Sequence, residues 1–327
     1  MKKMVRIVGC REDAIALMNI ALEHEWAVSF EYLIHAYSMP KGRFFYEDPI
    51  LRRRTDVRAQ TIQIGIDEMY HAWQLGIEIT RLGGGPSFQT DAVVRFPKVI
   101  DNLKRDKRTE DIVADLYRNS PFREGRFPEV RNMALNISVD EVRHARQFQA
   151  MVDALEAGGH SDSLLLPACP EVDAREDVAL LHEIMRRENE LTHRYLRYAI
   201  LFSGRQDLAP RLFKNSIDHM RHWDKNAGHL VRLGTVLRIE NGEAGPDGRE
   251  VSRKPMPGAY PGRNRRAALR TLGPAELHLI DLYEKLLPLT PSDEIREALR
   301  LQLALKREHV FTQDWLAANA KAVKGLA

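Results

Sequence analysis

The chain is poor in cysteine. Among its 327 residues only Cys10 and Cys169 occur, and they lack the close spacing of a zinc or redox pair. This excludes a fold that depends on several disulfide bonds and favours a reducing compartment. The sequence also lacks an apolar run long enough to cross a membrane, and its first residues carry charges instead of a signal core. We therefore expect a cytoplasmic protein without a membrane partner.

An excess of charge of one sign is absent as well. The 49 Lys and Arg residues nearly balance the 46 Asp and Glu residues, so the net charge is +3 and nucleic acid is not expected as a partner. One stretch, from Arg253 to Arg270, is basic and contains no acid. Its Gly and Pro residues favour a solvated connection. Contact with an anionic partner is the alternative.

Sustained alternation of polar and apolar residues, the sign of strands, is also missing, whereas apolar residues recur three and four positions apart. The predicted class is all-α, with four helices in each half of the chain. These helices cover about 12–39, 49–82, 98–119, 128–157, 174–203, 209–237, 274–287 and 292–322. The predicted domains are 1–158 and 174–327, joined by a linker over 159–173. A Gly- and Pro-rich segment between the second and third helices of the second half fits a long crossover between parallel helices, as in ferritin-like bundles.

The two halves share sequence at a constant spacing. Ile66–His71 matches Ile217–His222, and the Arg-Leu-Gly triplet that follows in each half keeps the same spacing. In the third helices, Glu110 and Tyr117 match Glu276 and Tyr283, at a larger spacing that the longer crossover absorbs. The chain is therefore predicted to be a tandem duplication.

Two Glu-x-x-His strings lie within predicted helices of the first half. Residues three apart share a helix face, so each string can bind one metal ion. A pair of close divalent ions also needs bridging carboxylates and one further carboxylate for each ion. Helices one and three offer suitable glutamates. The predicted ligand set is Glu25, Glu68, His71, Glu110, Glu141 and His144.

A single Glu-x-x-His string is more often a solvated surface pair than a metal site. Glu190 and His193 form a further string that the duplication does not explain. The order of the first-half residues favours the metal site, because carboxylate, Glu-x-x-His, carboxylate and Glu-x-x-His occur one per helix.

The segments Glu25–Ala36 and Asp67–Ala72 resemble the first and second helices of bacterioferritins, in the ferritin-like superfamily that also includes rubrerythrins. The resemblance covers roughly residues 12–157. It implies a di-iron centre in which Glu25 and His71 bind one iron, Glu110 and His144 bind the other, and Glu68 and Glu141 bridge the two.

The resemblance also bears on residues around this centre. Tyr32 matches a tyrosine beside the family's metal centre, and Asp106 is the alternative to Glu110. Glu31 stands where bacterioferritins usually have an amide. It is either an extra ligand or proton carrier, or a carboxylate on the helix surface, which is the more common case. Bacterioferritin chains carry one bundle and assemble into cages, so storage in a shell does not follow for a chain with two.

The second half keeps less of the ligand pattern. Glu188 aligns with Glu25, whereas His219 replaces the bridging Glu68, and a neutral imidazole cannot bridge two ions. The last helix offers Glu308 and His309 but no Glu-x-x-His, since Phe311 stands where the second member would be. One interpretation is a bundle that no longer binds metal and contributes only packing. The other is a single metal bound by some of Glu188, His219, His222, Glu276 and His309.

Two methionines raise a haem hypothesis. Bacterioferritins hold haem through paired methionines that follow the second-helix glutamate, and Met69 and Met220 occupy that place here. Core packing is the more common role of such methionines.

Three functions are compatible with these residues. The preferred one is an oxidoreductase that binds two Fe(II), or manganese in place of iron, and reacts with dioxygen or hydrogen peroxide, with or without a small organic substrate. The second is a ferroxidase with iron storage in an assembly, and the third is a helical module that binds a partner. No rubredoxin-like cysteine set is present, so electrons must come from another protein or from the substrate. A homo-oligomer is compatible with all three.

Overall fold

The computed structural model describes residues 8–87, 89, 92–119, 126–204, 208–238, 242–244, 249–252 and 265–319. Within this part the chain is mostly helical, which confirms the all-α class, and it has only short strands. It divides into two compact units. The first comprises Met1–Leu166 with Ile239–Pro255, and the second comprises Pro167–Arg238 with Met256–Ala327. None of the described helices combines the length and the apolar character that crossing a membrane requires.

Four long helices pack together in the first unit: α1 (Arg11–Ser38), α2 (Val57–Arg81), α3 (Val99–Arg118) and α4 (Pro128–Ala157). The C-terminal end of α1 meets the N-terminal ends of α2 and α3, where Arg58 hydrogen-bonds the Met39 carbonyl and His35 pairs with Asp106. Helix α1 is therefore antiparallel to both, and α2 and α3 run parallel. The chain between them must travel the length of the unit.

The apolar core fills the end of this unit at which α1 ends. Its buried side chains come from all four helices and from the turn after α1, and the Tyr32 and Phe148 rings meet edge to face there with centroids 5.2 Å apart. Burial of such aromatic side chains contributes roughly 1.5–3 kcal/mol each. Buried apolar side chains such as Met18, Leu22 and Ile79 lie towards the other end, and the polar cluster described below lies between these two apolar regions.

The predicted start of the second helix at residue 49 is wrong, because the chain there forms a hairpin of β1 (Phe45–Asp48) and β2 (Arg53–Asp56). The buried Asp48 carboxylate accepts hydrogen bonds from the backbone amides of Ile50 and Leu51, both at 2.8 Å. It also accepts from the Tyr46 hydroxyl and the Gln147 amide. An aspartate that binds nearby backbone amides stabilises a turn in competition with a helix.

Helix α2 begins only after the hairpin, at an Asp56 side chain that accepts from the Ala59 amide at 2.8 Å. This is the usual N-cap contact of a helix.

The second unit repeats the arrangement of the first. A short helix α5 (Pro170–Asp173) precedes α6 (Glu176–Leu201), α7 (Ala209–Arg232), α8 (Arg265–Leu289) and α9 (Asp293–Asn319). Ser216 of α7 contacts Thr192 of α6, and one turn later His219 contacts Glu188, so α6 and α7 are antiparallel. Glu276 and Tyr283 of α8 likewise contact Tyr195 and Glu188, which makes α8 antiparallel to α6.

Two predicted bounds in this unit are wrong. Helix α7 ends before residue 237, since Gly234 adopts φ 92°, a backbone conformation that glycine tolerates best. Helix α8 begins before residue 274 and carries Pro274 inside it, although proline commonly marks a helix start.

The connections between the helices contain contacts and short strands that the sequence analysis did not predict. Residues up to Leu166 pack in the first unit, where the Leu166 amide donates to the Ser38 carbonyl at 2.7 Å. Strand β3 (Val94–Arg95) pairs with β5 (Glu250–Ser252), which pairs with β4 (Gly242–Ala244). Arg95 and Glu250 form an ion pair at 2.7 Å across this small sheet. Most of the basic stretch, residues 253–264, lies outside the described residues.

Asp48→Ala should lower the free energy of unfolding by about 3 kcal/mol, because it leaves two backbone amides and two buried side-chain donors without their acceptor. Urea denaturation followed by circular dichroism measures this loss. The matched control is Glu47→Ala at the neighbouring exposed position, which should change stability by less than about 0.5 kcal/mol. Equal losses for the two variants would contradict the role given to Asp48.

Candidate metal centre

The structure brings all six predicted ligands of the first half together. One residue comes from α1, two from α2, one from α3 and two from α4, and none is more than 1% exposed. Their nitrogen and oxygen atoms form two overlapping groups, each with its atoms within 4.8 Å of one another, that could hold a metal ion. Both groups contain Glu68 and Glu141. The first adds Glu25 and His71, and the second adds Glu110 and His144.

Glu68 and Glu141 each face both histidines. Glu68 Oε2 lies 2.9 Å from His71 Nδ1, and Glu68 Oε1 lies 2.8 Å from His144 Nδ1. Glu141 likewise places Oε1 at 3.1 Å from His71 Nδ1 and Oε2 at 3.8 Å from His144 Nδ1. A carboxylate that offers one oxygen to each of two neighbouring positions has the arrangement of a bridge.

The other two glutamates each face one histidine. Glu25 Oε2 lies 3.7 Å from His71 Nδ1, and Glu110 Oε2 lies 3.6 Å from His144 Nδ1. The second oxygen of each accepts a hydrogen bond from a buried tyrosine hydroxyl, Tyr117 on Glu25 and Tyr32 on Glu110. Tyr32 therefore lies beside the centre, as its sequence match implied.

Two aspartates contact the Nε2 atoms of the two histidines, and each aspartate contacts the histidine of the other helix. Asp67 precedes Glu68 on α2 but contacts His144 of α4, at 3.3 Å from Nε2. Asp140 precedes Glu141 on α4 and lies 3.5 Å from Nε2 of His71, on α2. Since Nε2 of each histidine faces an aspartate, Nδ1 faces the cluster. This carboxylate support is typical of histidines that bind metals.

The centre is strongly acidic for a buried site. Burial, together with the Glu68 and Glu110 carboxylates, raises the pKa of Glu141 well above its ordinary value. Burial alone lowers the pKa of His71 and His144, but Glu68 and the other acids raise both well above their ordinary values. In the described part of the chain no Lys or Arg forms an ion pair with any of the four glutamates.

The cluster also keeps unused ligand atoms. One carboxylate oxygen of each glutamate and a nitrogen of one histidine are buried and form no hydrogen bond. These atoms are Glu25 Oε2, Glu68 Oε1, Glu110 Oε2, Glu141 Oε1 and His144 Nδ1. Leaving buried polar atoms unsatisfied costs roughly 1–3 kcal/mol each, so the donor set fits a bound cation that would satisfy them.

Glu31 lies apart from the predicted ligands, and its expected place on the helix surface is wrong. It is 2% exposed, pairs with Arg105 at 2.5 Å and accepts from the Val94 amide at 2.8 Å.

Asp106, the alternative to Glu110, pairs with His35 at 3.0 Å instead of joining the centre. Burial raises the pKa of Asp106 to about 6, against the opposing effect of His35. Glu31, His35 and Asp106 lie close enough to form a third group, but an arginine already balances its charge.

The second unit contains an equivalent polar centre with one residue that the sequence analysis missed. Lys306 is 0% exposed, and its ammonium lies 2.7 Å from both Glu188 Oε2 and His219 Nδ1. Lys306 and His309 occupy on α9 the places of Glu141 and His144 on α4, so the last helix carries Lys-x-x-His. Glu308 is exposed, and Phe311 is 71% exposed, so neither belongs to the centre.

The ammonium of Lys306 changes the electrostatics of this centre. Burial alone raises the pKa of Glu188, but Lys306 and His219 lower it well below its ordinary value. The Tyr283 hydroxyl donates to the other oxygen of Glu188 at 2.6 Å. Burial and Lys306 lower the pKa of His222 to about 4.

The remaining sequence candidates lie elsewhere. Met69 is buried in the first unit, and Met220 is half-buried in the second. Neither observation tests haem binding, which stays a prediction. Glu190 pairs with Arg187 and Arg194. His193 faces the Asn189 carbonyl at 2.8 Å and is part of neither centre, so this Glu-x-x-His string is a chance match.

Four residues of the two centres were not predicted from the sequence as members of a site. Asp67 and Asp140 extend both strings to Asp-Glu-x-x-His, and that shared aspartate was the available signal. Tyr117 enters the sequence analysis only as a residue shared by the two halves. Lys306 does not match a ligand pattern, although it stands three residues before His309, as Glu141 stands before His144.

The chain matches no protein-family model, no curated protein and no solved structure. Its function must therefore be inferred from the geometry and chemistry of the two centres.

Lys306→Met should lower the free energy of unfolding by about 3–5 kcal/mol, because it leaves the buried Glu188 charge without its ammonium partner. The control is Lys285→Met on α8, which removes a lysine that pairs with Asp281 at 2.7 Å but is 59% exposed. That exposed pair should contribute less than about 1 kcal/mol. Denaturant titration of both variants tests the difference, and similar losses would contradict it.

His193→Gln should reduce the acid sensitivity of the fold. Burial lowers the pKa of His193 to about 4, so the folded chain keeps it neutral, while the unfolded chain protonates it below about 6.5. Its contribution to stability is thus lost as pH falls from about 6.5 towards 4. The variant should flatten the stability curve there by about 1.4 kcal/mol per pH unit. His278→Gln, at an exposed position of α8, is the control and should leave the slope unchanged.

Proposed function

We propose that the first unit is a ferritin-like four-helix bundle whose centre binds two divalent metal ions, iron or manganese, and acts as an oxidoreductase on dioxygen or hydrogen peroxide. The observation that carries the proposal is the set of four buried glutamates without a lysine or arginine partner in the described part of the chain. An ionised carboxylate away from water requires a compensating cation. Two divalent ions balance the four carboxylates.

The placement of the oxygens supports a division of roles. Glu68 and Glu141, which face both histidines, would bridge the two ions. Glu25 with His71 would complete one position, and Glu110 with His144 would complete the other. Oxygen-rich ligation with one imidazole for each ion suits iron or manganese better than the softer metals.

Bound metals would supply the redox chemistry, since two adjacent iron ions can deliver two electrons to a small oxidant. The protein's own part is to fix the ligands and to exclude water. Asp67 and Asp140 hold the imidazoles so that Nδ1 faces the metal positions. Tyr32 keeps its proton at Oη against Glu110, because burial and the nearby carboxylates raise the pKa of Tyr32 well above its ordinary value. Full burial of the centre favours small oxidants over bulky substrates.

The topology supports the ferritin-like assignment. In each unit the second and third helices run parallel, an arrangement that requires a long crossover of the ferritin kind. Contacts repeat between the units as well. Tyr32 on Glu110 corresponds to Tyr195 on Glu276, and Tyr117 on Glu25 corresponds to Tyr283 on Glu188. This agreement favours a tandem duplication.

Glu68→Ala should abolish binding of both metal ions in the first unit, because a bridge serves each of them, and with it the consumption of oxygen or peroxide by the Fe(II)-loaded chain. Metal analysis and an oxygen electrode measure the two losses. Glu78→Ala, on the same helix but paired with Arg81 away from the centre, is the control and should keep both properties.

Retention of two ions and normal oxygen reactivity by Glu68→Ala would contradict the proposal. The particle size and the iron content of the wild type separate the alternatives. A large assembly that keeps far more iron than its ligands can bind would favour storage, and a chain that takes up no metal would favour a binding module.

A further inference from the structure

We propose that the second unit binds one divalent transition-metal ion between His219 Nε2, Glu276 and His309 Nδ1. These residues come from α7, α8 and α9, and none is more than 1% exposed. Their ligand atoms lie within 4.8 Å of one another. The site uses no residue of the first unit, so it stands independently of the function proposed above.

The spacing of the ligand atoms suits one ion. Glu276 Oε1 lies 2.9 Å from His219 Nε2 and 3.1 Å from His309 Nδ1. Metal–nitrogen and metal–oxygen bonds of about 2.1 Å place neighbouring ligand atoms roughly 3 Å apart. Two imidazoles and one carboxylate form a ligand set that binds non-haem iron(II), with further positions left for small ligands.

Both histidines are held from behind by carboxylates. His309 Nε2 lies 3.4 Å from Asp218 Oδ2, and His219 Nδ1 lies 2.5 Å from Glu188 Oε2. His219 Nδ1 also lies 2.7 Å from the Lys306 ammonium. A metal ion at His219 Nε2 requires the proton of that imidazole to lie on Nδ1, where Glu188 accepts it, and Lys306 would then donate to Glu188 alone. In the same way, a proton on His309 Nε2 that is donated to Asp218 leaves the Nδ1 lone pair facing Glu276. Metal-binding histidines are commonly oriented in this way.

Glu276 itself keeps an unused atom. Its Oε2 is buried and forms no hydrogen bond, whereas Oε1 accepts from the Tyr195 hydroxyl at 2.7 Å. The Lys306 ammonium is bonded to Glu188, and in the described part of the chain Glu276 forms ion pairs with histidines alone. A cation held with the two imidazoles would satisfy both the charge and the unused oxygen.

Comparison with the first unit shows which metal position is retained. The position built on Glu110 and His144 keeps its glutamate, its histidine, the supporting aspartate and the tyrosine. The corresponding residues of the second unit are Glu276, His309, Asp218 and Tyr195.

The other position is lost. Lys306 replaces Glu141, and Leu305 replaces Asp140, the aspartate that supports His71 in the first unit. The Lys306 ammonium lies against Glu188, the counterpart of Glu25, and so supplies the positive charge that an ion would bring there. One ion, and not two, is therefore expected.

Equilibrium dialysis of the full-length chain against Co²⁺, with metal analysis and visible absorption of the bound cobalt, tests this site. Glu68→Ala/Glu141→Ala, which disables the first centre, should retain one ion per chain. Glu276→Gln/His309→Ala should lose one ion relative to the wild type. His193→Gln, a substitution of a buried histidine outside both centres, is the control and should lose none. Circular dichroism checks that each variant is folded.

A folded Glu68→Ala/Glu141→Ala chain that binds no cobalt would overturn the inference, as would an unchanged ion count in Glu276→Gln/His309→Ala. Failure of the first centre has a different signature: the wild type would bind one ion, and Glu68→Ala/Glu141→Ala would not change that number. Asp218→Asn in the Glu68→Ala/Glu141→Ala background gives a second readout. It should weaken cobalt binding about 10-fold or more by removing the support of His309.

Discussion

A carboxylate that stays ionised away from water must have a cation beside it, and this requirement governs the interior of both units. In the first unit four glutamates converge from four helices without a lysine or arginine among their described partners. In the second unit Lys306 supplies a positive charge from the protein itself. With the metal ions proposed for the first unit, the two interiors would satisfy this requirement in two different ways on a similar arrangement of helices.

Each solution has a different consequence for chemistry. An ammonium fixed by Glu188 and His219 balances charge but cannot accept or release electrons. A metal ion balances charge and also reacts. In the second unit the ammonium thus occupies the place of one of the two ions proposed for the first unit, whereas the group of His219, Glu276 and His309 keeps its ligand atoms.

Much of the first centre follows from the sequence because helical geometry is local. Residues three apart share a helix face, so the sequence alone predicts that Glu68 pairs with His71 and that Glu141 pairs with His144. The helical class follows for the same reason, since the apolar period extends over many residues. The sequence distinguishes Glu110 from Asp106 less clearly, because both lie on one face of α3 a single turn apart.

The features that sequence reasoning missed depend on contacts between distant segments. Asp67 supports a histidine on another helix, and no local sequence pattern predicts this contact between helices. Asp48 turns the chain where the residue composition also permits a helix, and its Gln147 partner is distant in sequence. Lys306 became interpretable only beside Glu188, because a buried lysine is uncommon without a partner.

The small sheet of the first unit constrains how the chain can be divided. Strand β5 lies in the connection between α7 and α8, yet it pairs with β3, which precedes α3. A fragment ending at Leu166 would leave the edge of β3 bare and Arg95 without Glu250. The first unit is thus completed by a segment that is translated only after most of that unit, so a chain cut after Leu166 would not contain the whole first unit.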